Sequence, residues 1–187
     1  MFKFAAIKTL VVDLVETFVI AGAIFVIIYA FLFRPFQVNG QSMFPNFHDG
    51  QYVLTNLIGL RLGGIERGDV VVFHAPEEDD KDFIKRVIGL PGDSVAIKEG
   101  YVYVNNEKLD ETTYLPTNLK TNSGQFMKEG EAQIVPEGQY LVFGDNRDFS
   151  KDSREFGFIT RDSIIGKSFI IYWPPQDFST VKHPGYN

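Results

Sequence analysis

The chain reads as a mostly β protein carried on one N-terminal membrane-spanning helix, and three observations predict it. One long apolar run lies near the start, from Thr17 to Phe33. Beyond it, hydrophobic residues come in short β-branched or aromatic bursts separated by Gly, Pro, Asn or Asp, and helical periodicity disappears. A composition of 44% hydrophobic and 22% charged residues over 187 positions is that of a folded chain with one substantial core.

The apolar run is uncharged for about seventeen residues, the lower edge of what crosses a hydrocarbon core, and Leu14 and Val15 lengthen it. Asp13 and Glu16 near its start are tolerable only close to the headgroups, so they mark the entry side. The run is long for a secretory signal, and the flank Phe31-Leu32-Phe33-Arg34-Pro35-Phe36 lacks the small-x-small pair of a cleavage site. An uncleaved anchor is therefore expected rather than a signal or a buried core helix. Lys3 and Lys8 precede the run and Arg34 follows it, a bias that favours a cytoplasmic N-terminus with the larger portion outside. Pro35 is expected to end the helix, because it has no N–H to donate and restricts the residue before it. Residues 1–35 thus form a cytoplasmic tip and anchor.

Residues 36–173 are expected to form the β-rich domain, with strands over 52–55, 70–73, 83–88, 94–97, 101–104, 139–143 and 167–173. Glu99-Gly100 and Asn105-Asn106 suit tight turns on either side of 101–104, which predicts a meander. Within this domain the polar stretch 106–138 reads as a loop-rich insertion. The acidic run Glu77-Glu78-Asp79-Asp80 has no ligand spacing with it and reads as a solvated loop. The tail 174–187 has three prolines and no apolar periodicity, and is expected to be peripheral.

Charge and cysteine usage exclude several classes of function. A formal net charge of -6 without a Lys/Arg-rich block argues against nucleic acid as a partner. With no cysteine there is no disulfide, thiolate nucleophile or Cys-based metal site, and the scattered His48, His74 and His183 do not make a zinc cluster. No metal or cofactor is called for.

Four stretches exceed what a core demands: Gly40-Gln41-Ser42-Met43-Phe44-Pro45, Arg67 to Phe73, Lys85 to Asp93, and Gly144 to Arg154. Ser42 lies just past the anchor, where a reactive hydroxyl works at a membrane surface, but a serine needs a partner to take its proton. Lys85 is the best base. Alternation along 83–88 puts it on one face with Phe83 and Val87, among apolar neighbours. Burial disfavours an ammonium, and a general base at neutral pH needs lysine brought from about 10.4 to about 7 or 8, a shift of about 4 kcal/mol. Taken singly, Lys85 also reads as an edge lysine that snorkels and Ser42 as a turn serine.

In their order behind an anchor, the four stretches closely resemble the boxes of type I signal peptidases. The resemblance leaves only 106–138 and the tail unmatched. It implies a β-rich signal-peptidase/LexA-like fold and a membrane-bound serine endopeptidase that removes signal peptides from exported preproteins at the outer face of the cytoplasmic membrane. On that resemblance Ser42 is the nucleophile and Lys85 the general base, a Ser-Lys variant of triad logic. Ser150 matches the serine that hydrogen-bonds and orients the lysine. Asp152 with Arg154, and Asp145 with Arg86, match supporting ion pairs. Gly40 stands where some members have a serine that helps bind the oxyanion, so the expected donor here is backbone N–H, chiefly that of Ser42; glycine resembles the single-anchor, Gram-positive-like branch. Phe36, Val38, Val53, Val72 and Ile84 match residues lining shallow pockets for small side chains one and three positions before the cut, and Met43 resembles a residue packed at the membrane-facing edge. The implied partners are preproteins, membrane lipid and a nearby secretion translocon, with an extended peptide adding a strand to a free sheet edge. Two other readings remain: a Ser-Lys protease that cuts itself, and a non-catalytic membrane-tethered β domain that binds extracytoplasmic peptides.

Overall fold

The computed structural model describes residues 2–59, 63–76 and 80–186; Glu77, Glu78 and Asp79 of the acidic run lie outside the described residues. A helix α1 (Phe2–Phe31) opens the chain, and its stretch Ile7–Ile27 is long and apolar enough to cross a membrane. None of that stretch is buried by the rest of the protein, so its Phe, Val and Ile side chains have no protein core to enter. A helix apolar on all sides and unpacked needs lipid around it, which disposes of the core-helix alternative.

The helix stops earlier than Pro35. Arg34 and Pro35 belong instead to an edge strand β1 (Phe33–Gln37), paired antiparallel with β2 (Tyr52–Asn56) through Phe33↔Asn56 to Gln37↔Tyr52. The expected terminator acts upstream of itself, since proline pushes Arg34 to extended backbone and an edge strand tolerates its missing donor.

The remaining strands are β3 (Val70–His74), β4 (Asp82–Gly89), β5 (Ser94–Lys98), β6 (Tyr101–Val104), β7 (Glu107–Lys108), β8 (Ala132–Ile134), β9 (Gln139–Phe143), β10 (Ile159–Thr160), β11 (Ile164–Trp173) and β12 (Ser179–Thr180), with a short helix α2 (Ser153–Phe156) after β9. Among the described residues, one sheet runs β1-β2-β11-β3-β4-β9-β10 with β12 added on β11, and a second runs β7-β6-β5-β8. Every pairing between these strands is antiparallel. The mostly β expectation therefore holds, and the predicted strands are all present.

Central β3 is buried from Val70 to Phe73, which is why it reads as an unbroken apolar run rather than an alternating one. Val71 packs with Phe73, Val87, Val142 and Ile164 on one face, and Val70 with Val38, Met43, Phe47, Val53 and Ile171 on the other. A third cluster joins the small sheet to the ends of β4 and β9 through Ile88, Val95, Ile97, Leu141 and Phe143. Both expected tight turns form, with φ positive at Glu99, Gly100, Asn105 and Asn106, the geometry that matches strand twist in two-residue hairpins.

Two regions are more integrated than their composition indicates. The 106–138 insertion supplies β7 and β8, and its Met127 and Val135 are fully buried in the third cluster. Isolated apolar residues in a polar stretch carry no periodic signal, so nothing in the sequence marked them as core. The tail is not peripheral either: it contributes β12, packs Val181 against the second face of the large sheet, and accepts a hydrogen bond from Gln51 at Asp177 (2.7 Å). Met127→Ala is expected to cost about 2–5 kcal/mol of stability, read by thermal unfolding; a loss below about 0.5 kcal/mol would return the insertion to the periphery.

Candidate active site

Leaving β1, the chain buries Val38 and turns at Gly40, whose φ of +86° lies in the left-handed region and whose N–H donates to Asp49 Oδ1 at 2.7 Å. Ser42 begins the next turn, closed by Phe44 N–H to the Gln41 carbonyl (3.1 Å) and Phe47 N–H to the Met43 carbonyl (3.0 Å). Met43 is packed, as the resemblance implies. It is completely buried and pins this turn to the core, while Phe44 beside it is exposed.

Lys85 enters from β4, 3% exposed, and its Nζ lies 2.8 Å from Ser42 Oγ and 2.9 Å from the Ile84 carbonyl. The Phe83 ring packs against the amine at 5.1 Å. Burial lowers the lysine pKa to about 8, against an opposing pull from the Asp152 and Asp145 carboxylates. A serine hydroxyl and an amine of depressed basicity thus share one hydrogen bond, an arrangement able to activate the hydroxyl.

Both expected ion pairs are formed and both are dry. Arg86 grips Asp145 with two parallel bonds of 2.9 and 2.8 Å, the two side chains wholly inaccessible. Arg154 grips Asp152 through Nε and Nη2, each at 2.8 Å. Asp152 also caps α2 by accepting the Arg154 N–H (3.2 Å), and accepts the Gly144 N–H at 2.9 Å. Ser150 lies in this loop, but the expected bond to Lys85 is not formed: its buried Oγ has no hydrogen-bond partner. It is wedged against Gly144, where an added Cβ would come within 2.1 Å of Ser150 Oγ and 2.4 Å of the Ser42 carbonyl oxygen. Only glycine fits there.

Two asparagines were missed by sequence reasoning. Asn146 donates its N–H to the Ser42 carbonyl (3.0 Å) and its side-chain amide to the Gln41 carbonyl (2.9 Å), holding the backbone on both sides of Ser42. Asn46 donates to Asp145 Oδ2 (2.8 Å) and to the Tyr114 carbonyl (2.7 Å). Asn146 falls in a stretch already singled out, so its position was a usable signal; Asn46 carries none. Arg147, from the same stretch, bonds the Gly144 carbonyl (3.0 Å) and pairs with Glu111 of the insertion.

Ser42 and Lys85 open onto a cleft of about 830 Å³ lined by all five expected pocket residues, Phe36, Val38, Val53, Val72 and Ile84. Phe149, 76% exposed, and Lys151 stand at its rim. The cleft lies between β1 and the first half of β4, and residues 82–85 extend beyond β9, so this edge of β4 is unpaired among the described residues. No group of three or more His, Asp or Glu side chains is placed to hold a metal ion among the described residues.

Comparison with known proteins shows what the chain is similar to. The family described as "Signal peptidase, peptidase S26" matches residues 11–173. "Signal peptidase IB" of Staphylococcus aureus (strain Mu50 / ATCC 700699) is 42% identical over 185 residues, covering 91% of this chain and 94% of that protein. "Signal peptidase I" of Bacillus caldolyticus is 38% identical over 156 residues, covering 80% and 84%. A crystal structure of a signal peptidase I from Enterococcus faecalis V583 is 31% identical, covers 55% of this chain and 95% of its own, and superposes with a TM-score of 0.46.

Burying an amine inside the fold has a cost. An unfolded lysine holds its proton to higher pH than the folded one, so the depressed pKa destabilises the protein fully below pH 8, progressively less as pH rises, and not at all above the unfolded value. Lys85→Met, which fills the slot without charge, is expected to raise stability by about 3 kcal/mol at pH 7. Unfolding in detergent at pH 7 and pH 10 should show the gain shrinking with pH; a destabilised variant at pH 7 would overturn the assignment of a dehydrated amine.

Proposed function

The chain belongs to the signal peptidase S26 family, and on that premise we propose that Ser42 is its nucleophile and Lys85 its general base. It is a membrane-anchored serine peptidase that cleaves signal peptides from preproteins. The observation that carries the residue assignment is the 2.8 Å contact between Ser42 Oγ and a buried Lys85 Nζ.

The neutral amine accepts the Ser42 proton as Oγ attacks the scissile carbonyl carbon, and the C=O electrons move onto oxygen. The Ser42 N–H, which has no acceptor among the described residues, is the donor for that oxyanion, since the Gly40 N–H is committed to Asp49. Collapse expels the new N-terminal amine, which takes the proton from the Lys85 ammonium. Lys85 then takes a proton from water for attack on the acyl-serine, and Ser42 leaves with that proton. The preprotein docks as an added strand along the unpaired edge of β4, with small side chains one and three positions before the cut entering the pockets formed by Phe36, Val38, Val53, Val72 and Ile84. Ser150, whose buried hydroxyl has no other partner, is the candidate to orient the lysine, as expected from the family.

Anchoring is by a single pass, with the N-terminus inside and the catalytic domain outside the cytoplasm, an orientation supported by Lys3 before the span and Lys8 at its very start. Tyr29 at the end of the span, with Phe33, Leu54 and Tyr172 of the sheet, lines an apolar groove suited to lipid chains. This stations the cleft at the bilayer surface, beside the translocon from which preproteins emerge. The self-cleaving and non-catalytic readings find no support in relatives that share most of their length with this chain and are named signal peptidases.

Ser42→Ala and Lys85→Ala are each expected to abolish cleavage of a preprotein in detergent while the β-rich domain stays folded by circular dichroism. Retained cleavage by either variant overturns the pair. Activity of the unaltered enzyme should rise through one ionisation near pH 8, because the neutral fraction of the amine goes from about one tenth at pH 7 to about nine tenths at pH 9. A rate that stays level across that window removes Lys85 from the role of base.

A further inference from the structure

Residues 182–186 cross the face of β4 opposite the Lys85 amine and touch no part of the cleft. Arg86, following Lys85 in the strand, points to that face. Its Nη1 donates to the Gly68 carbonyl (2.9 Å) and to the Lys182 carbonyl (2.8 Å), so the segment supplies one acceptor to a guanidinium with no access to solvent. The segment is held on both sides of that contact. Val181 N–H donates to the Phe169 carbonyl at 3.0 Å. Pro184 lies against Gly68 so closely that a Cβ there would meet its ring carbons at 2.6 Å. Tyr186 OH donates to the Asp110 carbonyl at 2.7 Å and lies 3.4 Å from Tyr114 OH.

Tyr114 closes the loop. Its ring packs on Arg86 at 4.1 Å, and its carbonyl accepts from Asn46, which also binds Asp145. Asp145 is next to Asn146, whose N–H holds the Ser42 carbonyl.

We propose that 182–186 is a strap that holds the Ser42 turn in register through Arg86, Asp145 and Asn46, with Tyr186 as the positioning residue at its anchor; this rests on Ser42 being the nucleophile. A desolvated arginine-carboxylate pair keeps one geometry only while its remaining donors are satisfied and water is kept out. Release of the strap admits water to Arg86, loosens Asp145, and lets Asn46 and Asn146 shift the nucleophile. A displacement of about 1 Å at a reacting oxygen can cost about a hundredfold in rate, and smaller shifts cost less. Because the strap lines none of the cleft, the loss falls on kcat and leaves KM alone.

The test compares the full chain in detergent with Tyr186→Phe, Tyr186→Ala, Asn46→Ala and the Tyr186→Phe/Asn46→Ala double variant, on a signal-peptide substrate with alanine one and three positions before the cut. Expected are falls in kcat of about threefold for Tyr186→Phe and about tenfold for Tyr186→Ala, with unchanged KM. The double variant should lose less than the product of the two single losses, since both act through one network. Amide exchange across residues 144–147 should accelerate in Tyr186→Ala, a readout that does not depend on which side chains perform the chemistry. Should Tyr186→Ala fail to fold, Tyr186→Phe, which keeps the ring, decides by the same measurements. A kcat within twofold of the parent with unaltered exchange, a change confined to KM, or a strictly multiplicative double variant overturns the strap. Failure of the reading beneath it shows separately, as cleavage surviving Ser42→Ala.

Discussion

Everything in this protein is subordinate to keeping one lysine amine dry and within a hydrogen bond of one serine hydroxyl. Water would raise the Lys85 pKa back toward its free value, and so would a free carboxylate. Two carboxylates do lie close enough to pull its pKa upward, yet burial outweighs them. The reason is visible in their partners. Asp145 and Asp152 are each held bidentately by an arginine, whose charge is permanent, so much of their field is cancelled before it reaches the amine. The ion pairs expected as loop supports thus also act as electrostatic insulation.

The same pairs organise the backbone around Ser42. Asp152 caps α2 and binds the Gly144 N–H, Asp145 binds Asn46, and Asn146 takes the Ser42 carbonyl, so the loop after β9 grips the Ser42 turn from one side while Met43 anchors it in the core from the other. Gly144 sits where the two segments touch, and its missing side chain lets them approach. The cleft is the space left between β1 and β4 because β9 pairs only with the second half of β4. A site of this kind needs no moving part to be assembled, only a sheet whose strands end in the right places. The membrane span completes the arrangement by leading directly into β1, one wall of that cleft.

Much of the fold was legible because its signals are local. Apolar bursts bounded by turn residues marked the strands, and the pairs Glu99-Gly100 and Asn105-Asn106 marked hairpins that need positive φ. Where signals were not local, expectation and structure part. Pro35 stops the helix from a strand rather than from its end, Met127 and Val135 are core residues in a polar stretch, and the tail is clasped by Arg86, which lies about a hundred positions earlier in the chain. Met43, a single apolar residue in a turn, is likewise core, fully buried beside the partly exposed Ser42.

Residue chemistry alone determined the anchor, the β character, the absence of thiol chemistry and the short list of groups able to activate a hydroxyl, since these follow from composition and from spacing along the chain. Only tertiary structure decided that Lys85 and Ser42 meet, that the Ser150 hydroxyl stands without a partner, that Asn146 holds the Ser42 carbonyl, and that Asn46 and Tyr186 join the network behind Arg86 and Asp145. The physical reason is that desolvation and hydrogen-bond geometry are properties of an enclosure, and an enclosure is built from segments that are distant in sequence and become neighbours only when the sheets close.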